Sequence, residues 1–135
     1  MKGLLVAIAA TSVIVGCARE RSDFEDAKMA DSVAAYEAFI QKYPRGEYRQ
    51  EATGRLESAA SVVAEREGTP QAFEKFARRF PDGQFAAGAR TRAEDRSYET
   101  ASRENSVSAY EGFLKRYPLS GDVIGINPFR ACRAQ

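Results

Sequence analysis

The chain repeats itself. Ser32-Val33-Ala34-Ala35-Tyr36-Glu37-Ala38-Phe39-Ile40-Gln41-Lys42-Tyr43-Pro44 returns as Ser106-Val107-Ser108-Ala109-Tyr110-Glu111-Gly112-Phe113-Leu114-Lys115-Arg116-Tyr117-Pro118, with eight of thirteen positions identical at a separation of 74. A third copy, Thr69-Pro70-Gln71-Ala72-Phe73-Glu74-Lys75-Phe76-Ala77-Arg78-Arg79-Phe80-Pro81, lies midway, so the period is 37 residues. Register extends beyond this block. Gly46 aligns with Gly83, Tyr48 with Phe85, Ala52 with Ala89 and Arg55 with Arg92, while Ala27, Ala64 and Ala101 share one column. A fixed period of this length constrains a fold more than any local propensity. Each copy is one supersecondary unit, and it buries its apolar face only by stacking on its neighbours.

Each unit reads as two helices. Ala35, Tyr36, Phe39, Ile40 and Tyr43 form an apolar stripe of helical period. Ser32, Thr69 and Ser106 stand where a hydroxyl caps the first free amides, and Pro70 holds the first-turn position that suits proline. Pro44 and Pro81 stop the first helix, and Gly46 and Gly83 are expected to supply a permissive backbone for the turn. The second helices are predicted over 47–66 and 84–103, with Ala52 and Ala89 allowing close approach of neighbours. Ser22 and Glu25 read as a capping box that opens one short helix before the first repeat. The expected architecture is all-α: a solenoid of about two and a half helical hairpins over 23–118.

The pattern aromatic-x-x-Phe-x-x-x-Tyr-Pro-x-Gly-x-Tyr followed by Ala resembles a tetratricopeptide-like repeat over residues 24–118. The variant occurs in bacterial envelope proteins, among them the lipoprotein of the outer-membrane β-barrel assembly machinery and periplasmic coordinators of wall synthesis and division. The period is 37 where the standard repeat has 34, and the chain has no Trp. The resemblance implies an α-α solenoid presenting a groove to proteins or peptides. Once-per-unit spacing makes Tyr36, Phe39, Tyr43, Phe73, Phe76, Phe80, Tyr110, Phe113 and Tyr117 the expected repeat core, in preference to a ligand-stacking surface.

The amino terminus carries a second signal. Lys2 precedes an uncharged, largely apolar run over 4–15, which closes on Ile14-Val15-Gly16-Cys17. Twelve such residues make a helix of ~18 Å, against a hydrocarbon core of about 30 Å, so the segment fits a removed signal better than a span. Its end resembles the lipobox of bacterial lipoproteins. That resemblance implies cleavage between Gly16 and Cys17 and lipid attachment at Cys17, so that signal 1–16 and lipidated tether 17–22 precede the repeat domain 23–118 and the tail 119–135. An ordinary secretory signal or a short uncleaved anchor are the alternatives. Ala18 after the Cys goes, in many Gram-negative bacteria, with delivery to the outer membrane, here its periplasmic face.

Charge and chemistry bound the function. Loss of residues 1–16 removes only Lys2 among the charges and leaves 19 basic and 19 acidic side chains, a balance unsuited to nucleic acid. There is no His, no paired acids or nucleophile with a base at telling spacing, no metal-ligand cluster and no phosphate loop. No enzyme activity, cofactor or metal is expected. Glu37, Glu74 and Glu111 form a carboxylate column; Arg78 and Lys115 follow two of them by four residues, as in helix ion pairs. The column reads as a solvated ridge, or else as a partner-facing acidic strip. After Pro118 the pattern breaks, and Asn127-Pro128 prevents a continuous helix. Residues 119–135 read as an irregular cap, a disordered tail or an altered reading frame. Cys132 is the one thiol left if Cys17 is lipidated, which gives a route to a disulfide dimer. The expected role is a membrane-anchored envelope scaffold for proteins or peptides, with a peptide- or glycan-binding module as the alternative.

Overall fold

The structure is a computed structural model that describes the backbone of residues 9–118 and the side chains of 18–118. The described chain is all-helical. Its elements are α1 (Ala9–Ala30), α2 (Val33–Lys42), α3 (Arg49–Glu67), α4 (Pro70–Arg79), α5 (Ala86–Glu104) and α6 (Val107–Arg116). The 37-residue period appears in the elements themselves: α2, α4 and α6 are each 10 residues, and α3 and α5 are each 19. The expected long helices start two residues late and end one residue late.

Local chemistry sets the boundaries. Ser32 Oγ, Thr69 Oγ1 and Ser106 Oγ accept from the amides of Ala35, Ala72 and Ala109 at 3.2, 3.2 and 3.1 Å, and Pro70 opens α4. At the other end, the amides of Tyr43, Phe80 and Tyr117 donate to the carbonyls of Phe39, Phe76 and Phe113, and the chain turns at the prolines that follow. The sharp reversals lie elsewhere than expected. Among the described residues, positive φ belongs to Asp31 (37°), Gly68 (62°) and Asn105 (50°), one position per repeat, each just ahead of a capping hydroxyl. Gly46 is needed for a different reason, given below.

The amino-terminal region also departs from expectation. Ser22 sits inside α1 and caps nothing, and residues 17–22 are helical. No proline interrupts 9–30, and Glu20 is pinned by tertiary contact, so the helix runs through this stretch without a break. No described helix is long and apolar enough to cross a membrane.

The chain divides into two compact units, residues up to Val63 and from Ala64 onward, with the boundary inside α3. In the first, α1 packs on α2. Phe24, 1% exposed, lies 5.2 Å from the Phe39 ring and stacks on Tyr48 at 4.9 Å; Tyr36, fully buried, donates to Asp31 at 2.8 Å. In the second, α5 packs on both α4 and α6. Ala86, Ala89, Ala93 and Ala101 are buried along α5, and Ala72, Phe73, Phe76 and Ala77 along α4. Alanine on one helix lets its backbone approach the phenyl-bearing face of the other, which keeps the interior dense. Tyr98 meets Phe113 edge-on at 5.5 Å.

Candidate interaction grooves

The repeat produces the same depression twice, once in each unit. In the first unit, α1 and α2 enclose about 300 Å³ lined by Asp23, Asp26, Ala27, Ala35, Ala38, Phe39 and Lys42. In the second, α5 and α6 with the start of α4 enclose about 510 Å³. Its lining includes Ser97, Thr100, Ala101, Ala109, Gly112, Phe113 and Arg116, the residues 74 positions on from the first set. Small side chains form the walls, a phenyl ring closes the floor, and a cation stands at the rim.

The two grooves differ in charge. Asp23 accepts from Lys42 Nζ and the Tyr43 hydroxyl, both at 2.5 Å, and these hydrogen bonds hold its carboxyl below the ordinary carboxylate range. The Lys42 ammonium is raised in turn. Ser97 and Thr100 replace Asp23 and Asp26 in the second groove, and Arg116 instead lies 3.7 Å from Glu74. The second groove therefore has one acid, Glu104, and one cation, Arg116, among hydroxyls, where the first sets two aspartates against Lys42.

The expected site residues fall into separate environments. Tyr36, Phe39, Phe73, Phe76 and Phe113 are buried; Tyr43, Phe80, Tyr110 and Tyr117 are half-buried. The rings stay in register within each helix, with Phe39–Tyr43, Phe76–Phe80 and Phe113–Tyr117 pairs at 5.1, 5.1 and 5.5 Å. The glutamate column does not form one strip. Glu37 and Glu111 are exposed, whereas Glu74 is half-buried, accepts from the Tyr117 hydroxyl at 2.6 Å and lies 3.7 Å from Arg78 and Arg116. Gly16 and Cys17 lie in α1, whose side chains are described from Ala18 on; the tail 119–135 and Cys132 lie outside the described residues.

Tyr117 gives a pH prediction. Burial, and then its hydrogen bond to Glu74, push the phenol well above its ordinary value. The folded chain holds that proton more tightly than the unfolded chain. The resulting stability is complete below pH ~10 and is lost as pH rises above it. Tyr36 and Tyr43 act in the same direction, with burial leading for Tyr36 and the Asp23 hydrogen bond for Tyr43. Urea unfolding followed from neutral to strongly alkaline pH should show a falling limb, shallower in Tyr117→Phe. An unchanged limb would mean that Tyr117 is free in solution.

Sequence reasoning missed Glu20. It is 9% exposed, and its Oε1 accepts from the Tyr48 amide at 3.1 Å, ahead of the first turn of α3. A Cβ at Gly46 would overlap that carboxylate, which is why the turn carries glycine. The signal was present: Glu20, Glu57 and Glu94 recur at 37 residues, and Glu57 and Glu94 are half-buried.

Among the described residues no group of three or more His, Cys, Asp or Glu side chains is placed to hold a metal ion. No protein-family model, no curated protein and no solved structure matches the chain.

Proposed function

We propose that this protein is an exported envelope lipoprotein, held through Cys17, whose helical hairpins form a tetratricopeptide-like solenoid that serves as a scaffold for other proteins. The observation that carries the reading is the pairing of Ile14-Val15-Gly16-Cys17, at the end of an apolar run, with a 37-residue helical repeat. The recurrent groove supports it. Two depressions with small-residue walls and a phenyl floor suit an extended segment or a helix from a partner, the kind of ligand that repeat surfaces take. The periplasmic face of the outer membrane is the proposed location, with Ala18 after the Cys as its support.

Labelling tests the anchor. Cys17→Ser should abolish incorporation of labelled palmitate and leave the precursor unprocessed; equal labelling of the variant would remove the lipoprotein reading. Photo-crosslinking in intact cells from positions beside Arg116, followed by mass spectrometry, tests the scaffold. Recovery of envelope proteins supports it, and recovery of wall glycan alone would favour a glycan-binding module.

A further inference from the structure

Four exposed arginines flank the turn beside the proposed anchor. Arg19 and Arg21 are exposed on α1, and Arg45 and Arg49 are exposed on either side of the Gly46-Glu47-Tyr48 turn. The Glu20–Tyr48 hydrogen bond of 3.1 Å brings the two segments together. The neighbouring acids are engaged: Glu20 is buried under the turn, and Asp23 binds Lys42 and Tyr43. Exposed Glu47 is the one acid within the turn, against four arginines.

The repeat supplies an internal comparison. Thirty-seven residues on, the four arginine positions hold Leu56, Ser58, Asp82 and Ala86. The scaffold of the turn thus needs no arginine at any of the four. Leu56 and Ala86 are buried in the interior copy, so a terminal unit needs polar residues at those positions, but it does not need all four to be arginine.

We infer that Arg19, Arg21, Arg45 and Arg49 form a docking surface for the anionic phosphate headgroups of the membrane that takes up the acyl chains. The inference rests on the anchor reading above. With α1 helical from Cys17, Arg19 and Arg21 lie ~3 and ~6 Å along the axis from the attachment point at ~1.5 Å per residue. The Gly46 turn lies level with Glu20, at ~4.5 Å by the same measure. With α1 along the membrane normal, Arg19, Arg21 and the turn that Arg45 and Arg49 flank start within one Debye length, about 8 Å at physiological salt, of the lipid. Each basic residue that close to an anionic surface strengthens attraction about fivefold. The consequence is orientation: α1 stands on the membrane with the first turn pressed against it, instead of swinging on a flexible leader.

The test uses the full protein purified from membranes, with Cys132→Ser and Gln50→Cys labelled by a fluorophore beside the turn. It is placed in vesicles of phosphatidylcholine alone, or mixed with phosphatidylglycerol, each containing a headgroup-attached quencher. Quenching should be roughly twofold or more greater with phosphatidylglycerol, and raised salt should remove the difference. The combined Arg19→Gln, Arg21→Gln, Arg45→Gln and Arg49→Gln variant should lose it as well. The salt dependence of the unsubstituted chain decides the matter even if that variant folds poorly. Quenching indifferent to lipid charge and salt overturns the inference, which is also the result if the arginines serve an acidic protein. Mass spectrometry reports the anchor separately. If no acyl chain is found, the anchor reading and the docking inference that rests on it both fail, whereas an acylated chain whose quenching ignores lipid charge and salt overturns the docking inference alone.

Discussion

Phe76→Ala is expected to lower the unfolding free energy by ~3–5 kcal/mol, the usual cost of removing a buried phenyl ring. The ring is 4% exposed on the buried face of α4 and lies 5.1 Å from Phe80. Two terms add. The variant has no ring to move from water into the core on folding, so that transfer free energy is lost. A cavity also remains, because the close-packed surroundings relax only partly around it. A small domain holds only about 5–15 kcal/mol in total, so the variant should be near the edge of folding at body temperature. Urea unfolding should show a lower midpoint with an unchanged slope. Val107→Ala, at a side chain 77% exposed, should stay within ~0.5 kcal/mol. A loss below ~1 kcal/mol for Phe76→Ala would place the ring at the surface and overturn its assignment to the core.

Glu20→Ala should cost ~1.5–3 kcal/mol, because the Tyr48 amide loses a charged acceptor in a half-buried turn. Gly46→Ala should cost nearly as much by the opposite route. The new methyl occupies the space of the Glu20 carboxylate, and the flexible side chain yields by swinging out and giving up the same bond. Removing the carboxylate first should therefore make the methyl harmless. The double variant should be more stable than the sum of the singles implies, with a coupling of ~1–2 kcal/mol. Additive effects would show that the glycine serves the turn's backbone and that Glu20 is incidental. The cycle also guards against a misreading, since Gly46 is not among the residues with positive φ and its role is one of space.

The grooves illustrate what a repeat hides from its own sequence. Alignment of the copies makes Asp23, Ala60 and Ser97 equivalent, yet only in the structure does Asp23 hold Lys42 and Tyr43 while Arg116 turns to Glu74. Glu74 shows the same limit. Its column suggests one ridge of like residues, but Tyr117 reaches it across 43 positions of chain and draws it out of solvent. Such bonds depend on which neighbour the packing delivers, and no local pattern encodes that.

By itself the sequence determined the helices of the repeat, their period and the hydroxyl caps of α2, α4 and α6. These follow from short-range chemistry: hydroxyls three residues ahead of free amides, prolines after the last turn, aromatics at helical spacing. Tertiary structure alone decided how far α1 extends, which glutamate is buried and why Gly46 is glycine. Ser22 is a sound capping residue by local rules and caps nothing, because the carboxylate two residues before it is fixed over a turn formed 26 positions later. A cap is chosen by its nearest neighbours in the chain. A buried carboxylate is chosen by the donor that compensates its lost water, and that donor, the Tyr48 amide, comes within reach only when α1 and the start of α3 have met.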